Sequence, residues 1–212
     1  MPPPNSPSPD DDDGWTHISN HKSKSKSHRP VLLPNSLPPI SRDTTLSKIQ
    51  THFRATTKKW QSSSCRAQVL RILSQQQPDA GWHLTTALCL ATGSYSRDNA
   101  QLTQRSMQQF VVFHDLAVHL HSIQDDDVLA MYAQEPAYTP LDAEFLRALD
   151  VGVLETTSRD ATGGLGAVAQ HLGGGSFVFE PFMDMTPQGM RELCASDAAL
   201  YIGSSLQRWS GG

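Results

Sequence analysis

The chain has 212 residues and a formal net charge of −4, with 17 Lys/Arg against 21 Asp/Glu. That length suits one domain plus a tail, and no stretch approaches the ~20 apolar residues of a membrane helix. Residues 1–62 carry nine basic and five acidic side chains, whereas residues 63–212 carry eight and sixteen, with no lysine after Lys59. A phosphate-loop lysine, a Schiff-base lysine and a lysine general base are thereby excluded from the acidic part. That part is also a poor footing for nucleic acid, which needs clustered Lys/Arg.

Residues 1–44 are rich in Pro, Ser and charge and poor in core-forming side chains, so a disordered N-terminal arm is expected there. Asp10 to Asp13, Trp15 and the basic series Lys22, Lys24, Lys26, His28 and Arg29 read either as a solvated linker or as a short docking or nuclear-targeting element. The opening Met1-Pro2-Pro3-Pro4 lacks the apolar segment of a secretory signal. The expectation is a soluble cytoplasmic protein with nuclear access and no membrane partner. Cys65, Cys89 and Cys194 lie far apart without a C-x-x-C pair, which reads as three thiols rather than a zinc site.

The folded part is expected over 45–212. Thr44 or Thr45 caps a helix carrying Leu46, Ile49, Phe53 and Trp60. A second helix, about Ser64 to Gln75, is expected to bury Val69, Leu70, Ile72 and Leu73. Thr86 to Ala91 is a short continuous apolar run ended by Thr92-Gly93-Ser94, the pattern of a central strand buried on both faces. A long helix spans Asn99 to His121. Then follow a strand over Val128–Tyr132, a helix over Pro140–Leu149, a strand over Val151–Leu154 and a Gly-rich stretch. A strand over Ser176–Phe179, a helix from Thr186-Pro187 to about Leu193, and a strand over Ala198–Ile202 complete the chain. Such strand–helix alternation implies a parallel sheet covered on both faces. The fold class is therefore α/β, a small Rossmann-like parallel sheet of about five strands in the order 3-2-1-4-5.

Ligands of open parallel sheets bind beyond the carboxyl ends of the strands. Those ends supply Gly93, Ser94, Ser96 and Arg97, then Glu135, Glu155, Glu180 with Asp184, and finally Ser204 and Ser205. The turn Thr92 to Ser96 precedes a helix N-terminus, where backbone N–H groups can hold an anion. It lacks the glycines of G-x-G-x-x-G, and Glu135 lies 42 residues beyond Gly93 instead of the ~20 of a dinucleotide fingerprint. Ser94 and Ser96 serve equally well as turn and cap residues. Glu135, Glu155 and Glu180 form a shared carboxylate cluster only if their strands are neighbours. His114, His119 and His121 do not show the i, i+4 spacing of a helical metal pair. No G-x-S-x-G elbow is present, and no catalytic residue is assigned. Thr162 to Gly166 and Gly173 to Gly175 read as flexible turns.

Several segments together are similar to a known family. They are Cys89-Leu90-Ala91-Thr92-Gly93-Ser94-Tyr95-Ser96-Arg97 with Gln101-Leu102, Ala133 to Asp142 with Phe145-Leu146, Val151 to Leu154, Phe177-Val178-Phe179-Glu180-Pro181-Phe182, and Leu200 to Leu206. The chain resembles the sensitivity-to-red-light-reduced (SRR-like) domain family over roughly residues 45–208, as a fungal-type member, and Trp15 looks like the family's N-terminal feature. The resemblance implies regulation rather than catalysis, with links to light signalling and circadian timing in plants and to haem-related or cytoskeletal phenotypes elsewhere. Phe182-Met183 stands where many relatives carry His-Cys, and Gly203-Ser204-Ser205 where many carry Gly-Asn-Ser. Two readings follow: a regulatory protein acting through protein partners, or an enzyme or sensor holding a small nucleotide-like or other anion at Gly93, Ser94, Ser96, Arg97, Glu135, Glu180 and Ser204. The sequence names neither cofactor nor partner.

Overall fold

In a computed structural model, the chain is described over residues 37–124, 128–156, 164–181 and 186–203. Trp15, Asp184, Ser204, Ser205, Phe182-Met183 and the arm as far as residue 36 lie outside these residues. The last eight residues of the expected arm, 37–44, are described: Ile40 bridges Arg97 and the Ser41 N–H donates to the Ser96 carbonyl at 3.0 Å.

Five strands form one sheet: β1 (Thr86–Leu90), β2 (Ala130–Gln134), β3 (Val151–Val153), β4 (Ser176–Glu180) and β5 (Leu200–Gly203). Their order is β3-β2-β1-β4-β5, every pairing is parallel, and the expected fold is the observed one. β1 lies at the centre. Its side chains alternate between two apolar layers, as the period of two requires. Ala87 and Cys89 join the larger core with Met107, Phe110, Phe113 and Phe145. Leu88 and Leu90 join the smaller one with Leu165, Val168, Val178 and Leu193. This two-sided burial is why the strand reads as an unbroken apolar run.

The larger layer is covered by α1 (Leu46–Gln61), α2 (Ser64–Gln75), α3 (Ala100–Ser122) and α4 (Pro140–Arg147); α5 (Pro187–Ala195) and the 3₁₀ turn Gly166–His171 belong to the smaller one. Thr45 caps α1, accepting from the Lys48 N–H, and Asn99 caps α3. At the joint of the first three helices, Asp115 of α3 accepts from Trp60 Nε1 (2.9 Å), Gln61 Nε2 (3.3 Å) and Arg66 Nε (2.7 Å). One buried carboxylate thus ties three helices together, with a charge-assisted contact to Arg66.

Some boundaries differ from expectation. β2 runs two residues later than Val128–Tyr132, because the register Thr86↔Ala130 to Leu90↔Gln134 matches it to β1. Val128 is left outside, 83% exposed. Polar Gln134 is accommodated at the strand end, donating to the Leu165 carbonyl and accepting from the Val168 N–H. In α2 only Leu73 is buried, and Ile72 is exposed: Leu73, Leu70 and Val69 share one helical face, and Ile72 points a third of a turn away. α4 stops at Arg147 rather than Leu149, and Asp150, at φ 57°, turns the chain into β3. β5 starts two residues later than expected, its pairing with β4 beginning at Leu200.

His114 of α3 lies edge-on to Phe53 (centroids 5.4 Å apart) and 5.9 Å from Phe110. Burial lowers its basicity, outweighing the adjacent Asp115, which pulls the other way. His52 is shifted in the same direction by burial and by Lys59. Below the ordinary imidazole value of about 6.5, the unfolded chain therefore binds more protons than the native one. Stability is complete above that pH and falls as pH drops through it. Urea unfolding between pH 7.5 and 5 is expected to show this loss, with a shallower slope in His114→Leu; equal slopes would refute the assignment.

Candidate functional site

Beyond the carboxyl end of β1 the chain makes a compact loop, 91–99, before α3. Ala91 and Gly93 both take positive φ, 56° and 80°. At Gly93 an added Cβ would lie 2.6 Å from Ser106 Oγ, so backbone conformation and the close approach of α3 both favour glycine.

The loop is shaped by carboxylates from the β2–α4 connection. Glu135 accepts the Gly93 N–H through Oε2 at 2.9 Å and the Ala137 N–H through Oε1 at 2.8 Å. Asp142, fully buried, accepts from Ser94 Oγ (2.6 Å), the Tyr95 N–H (3.1 Å) and the Thr139 N–H (2.8 Å). The last bond is half of a capping box; Thr139 Oγ1 accepts the Asp142 N–H in return and lies 2.6 Å from Ser96 Oγ. The Ser96 N–H donates to Ser94 Oγ. Arg97 donates to the Ala137 and Pro38 carbonyls. Thr92, Tyr95 and Tyr138 form a hydroxyl triangle beneath the loop.

Above this network is a cleft of about 230 Å³. Gly93, Ser94, Arg97 and Glu135, four of the residues singled out in the sequence, line it together. Ser96 lies behind them, buried against Thr139. Glu180 is elsewhere: it is buried at the end of β4, where it accepts from the Tyr201 hydroxyl at 2.8 Å. Glu155 is exposed beyond β3. β1 separates β2 from β4, so Glu135 and Glu180 end strands that are not neighbours. Among the described residues, no group of three His, Cys, Asp or Glu is placed to hold a metal. Gly173 to Gly175 form the turn into β4, the Thr85 N–H donating to the Gly175 carbonyl.

The thiol of Cys89 and the phenols of Tyr95 and Tyr138, near the β1 end, are held in their neutral forms. Burial pushes the Cys89 thiol up, against an opposing hydrogen bond from Thr92. Burial likewise raises Tyr95 and Tyr138. Cys89 is thus a core thiol, not a thiolate nucleophile. Thr139, Asp142 and Ser106 were not singled out by sequence reasoning. A Thr-x-x-Asp spacing around Pro140 is a helix-start signal that pointed to the first two; nothing in the spacing marked Ser106.

One family model, described as SRR1 domain, matches residues 49–211. No curated protein and no solved structure matches the chain.

Proposed function

We propose that this chain, which belongs to the SRR1 domain family, is a regulatory protein that works by binding protein partners rather than by catalysing a reaction. One observation carries the reading. The polar groups at the ends of β1 and β2 are hydrogen-bonded to one another, while Leu37, Ile40 and Leu102 stand about half exposed beside them. Leu37 and Leu102 line the cleft mouth, and Ile40 is held next to it through Arg97. Such a face offers shape and apolar contact, which are the means of protein recognition. The arm, residues 1–44, is proposed as a second contact region, and its basic series suits a protein shared between cytoplasm and nucleus. The member is read as fungal-type, and at Phe182-Met183 and Gly203-Ser204-Ser205 it departs from the residues that many relatives carry.

The test is quantitative affinity purification from the native cell, comparing wild type with Ile40→Glu/Leu102→Glu. Both side chains are exposed, so folding, checked by circular dichroism, is expected to survive. At least one protein recovered with wild type should fall about ten-fold or more with the variant, the size expected when apolar anchors are lost. The interaction should then reproduce with purified components. Identical recoveries from both chains would refute docking on this face.

A further inference from the structure

On the cleft floor lies a side chain that the hydrogen-bond network leaves out. Ser106, in the second turn of α3, is only 4% exposed and lines the cleft, yet its hydroxyl has no hydrogen-bond partner among the described residues. Buried helical serines ordinarily bond a carbonyl of the preceding turn. Here the hydroxyl instead meets the face of Gly93, whose missing side chain leaves it uncovered. Gln109, at i+3 on the same helix, also lines the cleft, half-buried, and its amide makes no hydrogen bond to described residues. Glu135 completes the polar side. Each of its oxygens takes one backbone N–H, and an ionised carboxylate has about four acceptor sites. Pro38 and Leu102 form an apolar wall.

These groups define a ligand. Three of the loop N–H groups that could receive a phosphate are occupied: Gly93 by Glu135, Tyr95 by Asp142 and Ser96 by Ser94. Among the described residues Glu135 is the one carboxylate of the lining, beside the guanidinium groups of Arg97 and Arg105, and its free acceptor sites call for hydroxyl or amine donors. The hydroxyl and amide beside it can donate or accept. Leu102 stands one turn before Ser106 on the same face of α3, a place for a flat apolar ring, and about 230 Å³ falls below the ~300–1,000 Å³ of drug-sized sites.

We infer that the cleft binds a small, non-anionic molecule that combines vicinal hydroxyls with a flat ring, the chemistry of a nucleoside. Glu135 and Ser106 hold the hydroxyl pair, Gln109 reads a polar edge, and Leu102 packs on the ring. This goes beyond partner docking and does not depend on it: the two readings share Leu102 alone, and Ser106 and Gln109, which line the cleft, have no part in the docking face.

The test titrates the full-length chain calorimetrically with the four common ribonucleosides, the corresponding 5′-monophosphates and ribose. At least one nucleoside is expected to bind, and Ser106→Ala/Gln109→Leu should weaken it about ten-fold or more. Neither side chain bonds to described protein groups, so the urea midpoint of the double variant should not fall. A merely structural role would give the opposite pattern, reduced stability with unchanged binding. Arg105 also lines the cleft, so the monophosphates are the decisive contrast: tighter binding of any of them than of its nucleoside overturns the non-anionic class. Absence of nucleoside binding, or equal affinity in wild type and double variant, overturns the site.

Discussion

Asp142→Ala is expected to lower the unfolding free energy by about 3–5 kcal/mol, a large fraction of the ~5–15 kcal/mol by which native domains are stable. The carboxylate has no solvent exposure, and its removal leaves three donors, Ser94 Oγ and the Tyr95 and Thr139 N–H groups, without their acceptor. Each buried unsatisfied group costs about 1–3 kcal/mol, and water entering the gap recovers part of the sum. Asp142→Asn retains one acceptor oxygen and should cost about half as much. Urea unfolding followed by far-ultraviolet circular dichroism measures both. A loss below about 1 kcal/mol for the alanine variant would show that the loop holds its shape without this residue.

The second large effect is expected at Asp115. Burial alone would raise its carboxyl, but hydrogen bonds from Arg66, Trp60 and Gln61 and the Arg66 charge outweigh it and hold the group below its ordinary value. Asp115→Ala should cost about 2–4 kcal/mol. The lower bound allows for the Arg66 side chain, 27% exposed, regaining water once unpaired. The wild-type contribution is fully present above the ordinary carboxyl value of about 3.9 and disappears as pH falls through the lower native one. Acid unfolding below pH 4 should therefore be less steep in Asp115→Ala. Parallel curves for the two chains would mean that the triple contact adds nothing to the native state.

The layout of the sheet was legible because β1 is apolar on both faces and each crossover has helical length; those features leave few topologies open. Where β2 begins was not, since Val128, Leu129 and Ala130 are all apolar and only pairing with β1 decides among them. The cleft was legible in part. Gly93, Ser94, Arg97 and Glu135 follow from the rule that strand ends carry function, and they do meet. Glu180 obeys the same rule and lies elsewhere, because strand order alone does not say which way a side chain at the strand end points. The long-range contacts of Asp115 and Asp142 were invisible for another reason, although the helix-start spacing marked Asp142 as a capping residue. Each is one acidic residue in a helix whose partners come from other elements, 47 to 55 positions away where the bond is not local, and a single sequence carries no signal for such meetings. Ser106 stands out only through the absence of a partner, which composition cannot reveal.

The loop after β1 owes its shape to groups 42 and 48 positions further along the chain, reached only across α3 and β2. A nascent chain on the ribosome that has released everything through α3 still has no recess there, because the acids that mould it have yet to emerge. Closure of so long a segment is slow compared with forming a helix. Whatever the recess receives must therefore arrive after synthesis of the first two strands and the following helix is finished, and cannot serve as a template for their assembly.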